Sequence, residues 1–356
     1  MSGSHAERRT FSFPYEARSL DELVSSLRAE GMTFRQFECV SEGEYSPDDA
    51  AWNYMDIPHL TYVHKQVDGV LTLAADAVTG SIFFQKLPFL RLPLTVLTYQ
   101  SAPNAVTYYT SFAFFLLIIQ TSWEAMGSTR TRVTTRYAVG WTGWLVGLFY
   151  PVIRKLLERN YRILMSEDIP MRNQRGVLRT KGYEFRMRGD VPSFLESKKI
   201  MQQNVLTPEQ NVVAPRVLPS WGEQIIPFDS LQEAQPCFIG EANHMGLTLL
   251  RSGQSIHVYP RLCPHEGAGL DGAVTQCAAA EGGIRTELCT IQCPWHGRKF
   301  RPILTISTPM GESAFETDWH TYEVHATQVR IACKPSLDTE TLRTADWSRP
   351  AKEKTS

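Results

Sequence analysis

Two short arms, each carrying one cysteine and one histidine, limit what this chain can fold into more than any other feature: Cys263-Pro-His265 and, after an intervening loop, Cys293-Pro-Trp-His296. Paired thiolates and imidazoles are metal ligands, so the fold must bring two loops distant in sequence to one point. Two Cys and two His also suit tetrahedral zinc. Zinc motifs, however, usually pair cysteine with cysteine and histidine with histidine, whereas each arm here is mixed. A [2Fe–2S] cluster whose one iron takes two thiolates and whose other takes two imidazoles needs this mixture, with one ligand of each kind from each loop. The small residues Gly267, Ala268, Gly269 and Gly297 let the loops curl so that backbone N–H groups approach the cluster sulfurs.

The stretch Cys263-Pro-His-Glu-Gly-Ala-Gly-Leu270, and Cys293-Pro-Trp-His-Gly297 with Phe300, resemble the Rieske domain of ring-hydroxylating and demethylating oxygenases. They are less similar to the cytochrome-complex Rieske proteins, in which two further cysteines staple the loops, because Ala268 and Trp295 stand at those positions. The interval between His265 and Cys293 is longer than the family's, with the extra length near Cys277 to Glu287. Glu266 replaces a residue that is commonly basic, and Arg298 replaces one that is commonly Trp; both are expected where a redox partner docks. Cys277 and Cys289 are expected to be ordinary reduced cysteines.

A cluster of this kind stores one electron, so a second site should receive it. The first half of the chain contains Asn53-Tyr-Met-Asp56-Ile-Pro-His59-Leu-Thr-Tyr-Val-His64. Two imidazoles and a carboxylate make a facial triad that leaves positions open on a mononuclear iron. Five residues advance roughly 140° on an ideal helix, so His59 and His64 need a distorted helix end to converge. By spacing alone, two surface histidines would be the plainer reading. The string nevertheless resembles the iron motif of Rieske oxygenase alpha subunits, especially the branch similar to vanillate O-demethylase and pheophorbide a oxygenase. That resemblance implies His59 and His64 as ligands of a mononuclear Fe(II). It implies Asp168, with Glu167 as runner-up, as the carboxylate ligand. It also implies that Asp56 accepts from the first iron-binding His and from a cluster His of a neighbouring subunit. Family members form rings of, usually, three chains, so a homo-oligomer is expected. The domain order is inverted, with the iron motif ahead of the cluster motif.

The 356 residues allow two domains, and a hydrophobic content of 43% supports packed cores in both. Helices are expected over Leu20–Glu30, Ala50–Val63 and about Trp144–Arg175, the last kinked or interrupted at Pro170 and carrying Leu156, Leu157, Tyr161 and Leu164 as one apolar stripe. Strands fill Gly69 to about Gly140, with Phe112–Ile119 a buried strand and Arg130, Arg132 and Arg136 on a solvated face. Trp141–Ile153 reads as a core helix in preference to a membrane-surface one. The expected fold is α+β: an N-terminal helix-grip (START-like) catalytic domain over 1–180, a linker over 181–220, an all-β Rieske domain over 221–335 and a loose tail over 336–356.

A net charge of -1 gives no argument for nucleic-acid binding. The N-terminus shows no export signal, and seven cysteines without one argue for a reducing compartment, so a cytoplasmic protein is expected. The function that the resemblance implies is an O2-dependent monooxygenase that hydroxylates or oxidatively demethylates a hydrophobic or aromatic small molecule. NAD(P)H would supply electrons through a ferredoxin or flavin reductase, since the chain has no dinucleotide fingerprint of its own. An aromatic-ring dioxygenase and a non-catalytic electron carrier or ligand-binding protein are the competing readings.

Overall fold

Ser19 and Ser46 start the first two helices in the same way. Each side chain accepts the backbone N–H of the residue three on, Glu22 or Asp49, whose carboxylate reaches back to the cap's own N–H. These helices are α1 (Leu20–Ala29) and α2 (Pro47–Met55), with β1 (Thr33–Gly43) between them. The computed structural model describes residues 19–56, 59–74, 78–87, 90–112, 114–185, 213–215, 221–264, 266–278, 288–308, 311–334 and 350–354. The single helix expected over Ala50–Val63 is instead two. The first, α2, ends at Met55, where Asp56 leaves the helical region (φ -84°, ψ 80°); α3 (Leu60–Val63) follows.

The strands β2 (Val67–Ala74), β3 (Val78–Leu87), β4 (Leu90–Ala102), β5 (Ala105–Phe112), β6 (Phe115–Ala125) and β7 (Thr131–Trp141) form an antiparallel meander, and β1 closes onto β7. Among the described residues the sheet has the order β1-β7-β6-β5-β4-β3-β2. The long helix α4 (Leu145–Thr180) lies on it, with Tyr150, Ile153, Leu157, Tyr161 and Met165 packed against Phe37, Leu117, Tyr137 and Val139. This is the expected helix-grip arrangement.

Three local expectations are corrected. Of the kink or interruption expected at Pro170, the interruption is absent: α4 runs through Pro170, as through Pro151. The run Phe112–Ile119 is not one buried strand but the tip of the β5–β6 hairpin, where Phe114 is 76% exposed. Within α4 only one stripe meets the sheet. Leu156 faces solvent together with Trp144, Leu145, Leu148, Phe149 and Val152, so much of the run expected in the core is exposed. The basic strand reads as anticipated: on β7 Thr131, Val133, Thr135 and Tyr137 are inward, while Arg130, just before it, and Arg132 reach Glu42 and Arg136 reaches Asp21.

Gly176 is where α4 passes closest to the chain entering α2. A Cβ there would lie 2.0 Å from the backbone oxygen of Glu44. Gly176→Ala gains helix propensity worth about 1 kcal/mol, but a backbone atom cannot yield as a side chain can. We expect a net loss of about 1–3 kcal/mol, read as a lower urea midpoint at unchanged slope.

After α4 the chain forms a small ribbon, β8 (Tyr183–Phe185) paired with β9 (Val213–Pro215), inside the stretch anticipated as linker. The remaining strands are β10 (Gln224–Pro227), β11 (Pro236–Ile239), β12 (Leu247–Ser252), β13 (Ser255–Pro260), β14 (Val274–Ala278), β15 (Leu288–Gln292), β16 (Lys299–Phe300), β17 (Leu304–Ser307), β18 (Ser313–Glu316), β19 (His320–His325), β20 (Gln328–Cys333) and β21 (Lys352–Glu353). A four-stranded sheet, β11-β12-β13-β17, and a five-stranded one, β10-β20-β19-β18-β21, enclose a core that includes Leu249, Val258, Ile306, Tyr322 and Ile331. The short sheet β14-β15-β16 carries the cluster arms. The expected loose tail thus returns as the edge strand β21. Among the described residues, no helix is long and apolar enough to cross a membrane.

Cys289 is disulfide-bonded, and across the β14–β15 ladder it faces Cys277. This corrects the expectation of ordinary reduced cysteines and removes the argument from cysteine count for a reducing compartment.

His320 is buried beside Trp221, and burial pushes its imidazole down to about 3. In the unfolded chain the ring takes up a proton below about pH 6.5; in the folded chain it does so only near 3. The unfolded state therefore binds more protons through this window, and stability falls as pH drops from about 6.5 towards 3. Urea midpoints measured against pH should show this fall, and His320→Phe should flatten it.

Candidate metal centres

The break between α2 and α3 positions the iron motif. His59 precedes α3 and His64 follows it, so the two rings leave opposite ends of one short helix and are not forced apart by an ideal turn. Their Nε2 atoms lie 3.4 Å and 3.2 Å from Asp168 Oδ1, which α4 presents from the other side. Among the described residues, His59, His64 and Asp168 form a buried group whose ligand atoms all lie within 4.8 Å of one another. Ligands held about 2.1 Å from one metal at right angles stand roughly 3 Å apart, so the donor set fits a small divalent ion.

The neighbours fix which ring nitrogens face inward. The Nδ1–H of His59 donates to the backbone carbonyl of Asp56, and that of His64 donates to Glu167 Oε2 at 2.9 Å. With Nδ1 so engaged, each Nε2 is the atom turned towards Asp168: protonated it sets a cation beside the carboxylate, and deprotonated it is the atom a metal would take. Glu167, the runner-up ligand, is thus placed behind His64 instead of in the group. Burial works to raise the Asp168 carboxyl, but His59, His64 and Arg172 outweigh it and hold the group well below the usual carboxylate range. Arg172, fully buried, lies 3.4 Å from Asp168 Oδ2, donates to Asn53 Oδ1 and lies over the Tyr54 ring.

On α4, Asp168, Arg172 and Arg175 recur one turn apart on a single inward face. Neither arginine is among the site residues expected from sequence, which in this segment are only Asp168 and Glu167. A charged residue at i, i+4 and i+7 on a half-buried helix is the signal that could have found them.

The two cluster arms are built alike. Cys263 N–H donates to Ala268 O and Gly267 N–H to Cys263 O; Cys293 N–H donates to Arg298 O and Gly297 N–H to Cys293 O. Both turns need a left-handed residue at the same place, and Gly267 (φ 78°) and Gly297 (φ 62°) supply it. Cys263 and Cys293 are buried, and neither forms a disulfide. Burial works to raise the Cys293 thiol, but Cys263 and His296 outweigh it and lower it well below the ordinary value. Two buried thiols and an imidazole on matched loops fit a [2Fe–2S] cluster; His265, expected as the fourth ligand, lies outside the described residues.

His296 of the second arm and Glu266 of the first are turned away from solvent. His296 Nε2 lies 2.5 Å from Asp56 Oδ2 of the same chain. This alters two expectations for Asp56. Its link to His59 runs through the backbone carbonyl, the carboxylate being 3.7 Å away, and its cluster His belongs to its own chain. Glu266 is also not at a docking surface for a redox partner: it is buried against Arg175 of α4, which also donates to Asp49. Arg298 is half-buried. A cleft of about 660 Å³ opens between the domains, with Lys65, Glu167 and Gln174 on one side and Asp271, Pro294 and Trp295 on the other.

Residues 225–307 match the family model of the Rieske [2Fe-2S] domain. No curated protein matches the chain. Solved structures similar to part of it include the di-domain ARO/CYC BexL from the BE-7585A biosynthetic pathway, 10% identical, with a TM-score of 0.35 over 38% of this chain and 49% of that one. Others are TTHA0849 from Thermus thermophilus, 15% identical, with a TM-score of 0.34 over 41% and 99%, and the Zhui aromatase/cyclase from Streptomyces sp. R1128, 10% identical, with a TM-score of 0.36 over 40% and 96%. Likenesses this slight carry no argument about chemistry, and the helix-grip description rests on the chain's own strand order. The C-terminal part of this chain, with both cysteine arms, is a Rieske [2Fe-2S] domain.

Proposed function

We propose that the chain is a Rieske-type oxygenase that uses O2 and externally supplied electrons to hydroxylate or oxidatively demethylate a hydrophobic or aromatic small molecule. The observation that carries this reading is Asp56, which holds His59 through its backbone carbonyl and His296 through its carboxylate. An electron-carrying domain needs no such link to a buried His/His/Asp group unless that group takes the electron. His59, His64 and Asp168 would hold a mononuclear Fe(II), and Cys263, His265, Cys293 and His296 the cluster. When bound, the cluster supplies single electrons and the iron supplies O2 activation.

The chain's own residues orient and exclude. Glu167 and the Asp56 carbonyl keep the Nδ1 protons of the two histidines, so that both Nε2 atoms stay available. Arg172 keeps Asp168 ionised and turned inward. Tyr54 and Tyr108 are half-buried and packed together, Tyr108 donating to the Tyr54 carbonyl and Tyr54 lying under the Arg172 guanidinium beside Asp168, and aromatic surroundings of this kind suit an apolar substrate. Electrons would come from NAD(P)H through a ferredoxin or flavin reductase.

Iron content tests the reading. About three irons per chain support it, and two would leave only an electron carrier. Labelled O2 then separates incorporation of one oxygen atom from incorporation of both.

A further inference from the structure

We infer that a single chain is a complete electron-transfer unit: its own cluster loops dock on its own iron-motif domain, so the electron crosses no subunit boundary. The purpose of this docking rests on the oxygenase reading above; its geometry rests on contacts within one chain.

Both cluster arms meet the N-terminal domain. Asp56 reaches His296 from the end of α2. Gly297 lies under the Tyr62 ring of α3, so close that a Cβ there would fall 2.1 Å from the ring. Gly267 lies against Leu178 of α4, 2.6 Å from where its Cβ would be. Trp295 packs on Trp52 of α2 with ring centroids 5.8 Å apart.

Charge is matched as well as shape. Glu266 of the first arm meets Arg175, whose guanidinium also binds Asp49 at 2.9 Å and lies 3.9 Å from the rings of both Trp52 and Phe185. A buried pair of this kind adds little net stability, but it penalises wrong placements, which would leave a charge buried and unpaired.

The covalent path also favours the chain's own domain. Leu178 at the end of α4 and Tyr183 and Phe185 of β8 share one core with Met245, Leu262 and Trp319 of the C-terminal domain. Because β9 pairs with β8, the chain returns to the end of α4 at Pro215 whatever the path of the segment between them. From Pro215 to the start of β10 at Gln224, even a fully extended chain spans only roughly 30 Å.

A benzophenone amino acid in place of Tyr62 tests the docking without turnover. After illumination of the full-length protein and a denaturing gel, we expect the peptide containing Gly297 to be captured in the single-chain band. Capture only in a two-chain band would show exchange between chains and overturn the inference, as would failure to capture any residue of the C-terminal domain. Co-expression of His64→Ala chains with Cys293→Ala chains gives the second reading: turnover no greater than the two variants show separately is expected, and recovery of turnover overturns the inference. If the wild-type chain lacks the third iron and turns nothing over, the oxygenase reading fails, and the capture experiment still decides the docking.

Discussion

Asp168→Ala is expected to take the chain from about three irons to about two and to abolish turnover, with the visible spectrum of the cluster unchanged. Asp168 Oδ1 is the oxygen that both Nε2 atoms face, and the triad and the cysteine arms are built on different domains. The same change leaves the buried Arg172 with Asn53 and Tyr45 as partners but no counter-charge beside it. Breaking such a pair costs about 3–5 kcal/mol, so the variant should also melt earlier. Asp168→Asn keeps the shape and serves as the control for lost packing. Glu167→Ala should behave differently. It removes the acceptor behind His64 without removing a ligand, so iron affinity should fall by about 10–100-fold. If Glu167→Ala empties the site while Asp168→Ala keeps it filled, the ligand assignment is reversed. Iron analysis beside the cluster absorbance reads both.

Asp56→Asn should slow electron transfer from reduced cluster to iron by about tenfold or more in single turnover, while both metal contents stay near normal. The backbone carbonyl that orients His59 survives the substitution, so the iron site keeps its support. What changes is the partner of His296. A carboxylate accepts from the imidazole N–H as an anion, and burial, which would raise it, is outweighed by His296 so that it stays ionised. An amide can still accept, but it carries no charge, and its donor end repels the same N–H. Loss of the negative charge should raise the cluster's reduction potential, which a redox titration reads independently of turnover. Normal transfer at an unchanged potential would remove Asp56 from the path.

Much of this was legible from residue types and spacing. Mixed Cys/His arms have few chemical uses, so Cys263, Cys293 and His296 could be named as ligands before any fold was known. Alternating threonines and arginines on β7 showed which side faced water, because strand periodicity is a local property. The strand-rich stretch and the long helix after it were legible from where strand patterns give way to a helical one, while the helix-grip description came with the family resemblance.

What stayed hidden depends on which surfaces meet. The apolar turns at the start of α4 look alike in sequence on every side; only packing against β7 sends Tyr150 and Ile153 inward and leaves Leu148 and Phe149 exposed. The pairing of Cys289 depends on the register of β14 on β15, which composition does not reveal. Glu266 and Arg298 looked like surface departures from a family pattern, yet Glu266 is an ion-pair partner of Arg175, far away in the chain. Sequence alone determined the ligand chemistry, because a thiolate or an imidazole brings its coordination preferences to any fold. Only the tertiary structure decided that Asp56 and His296 belong to one another within a single chain, because a hydrogen bond between distant residues exists only where packing makes their domains meet.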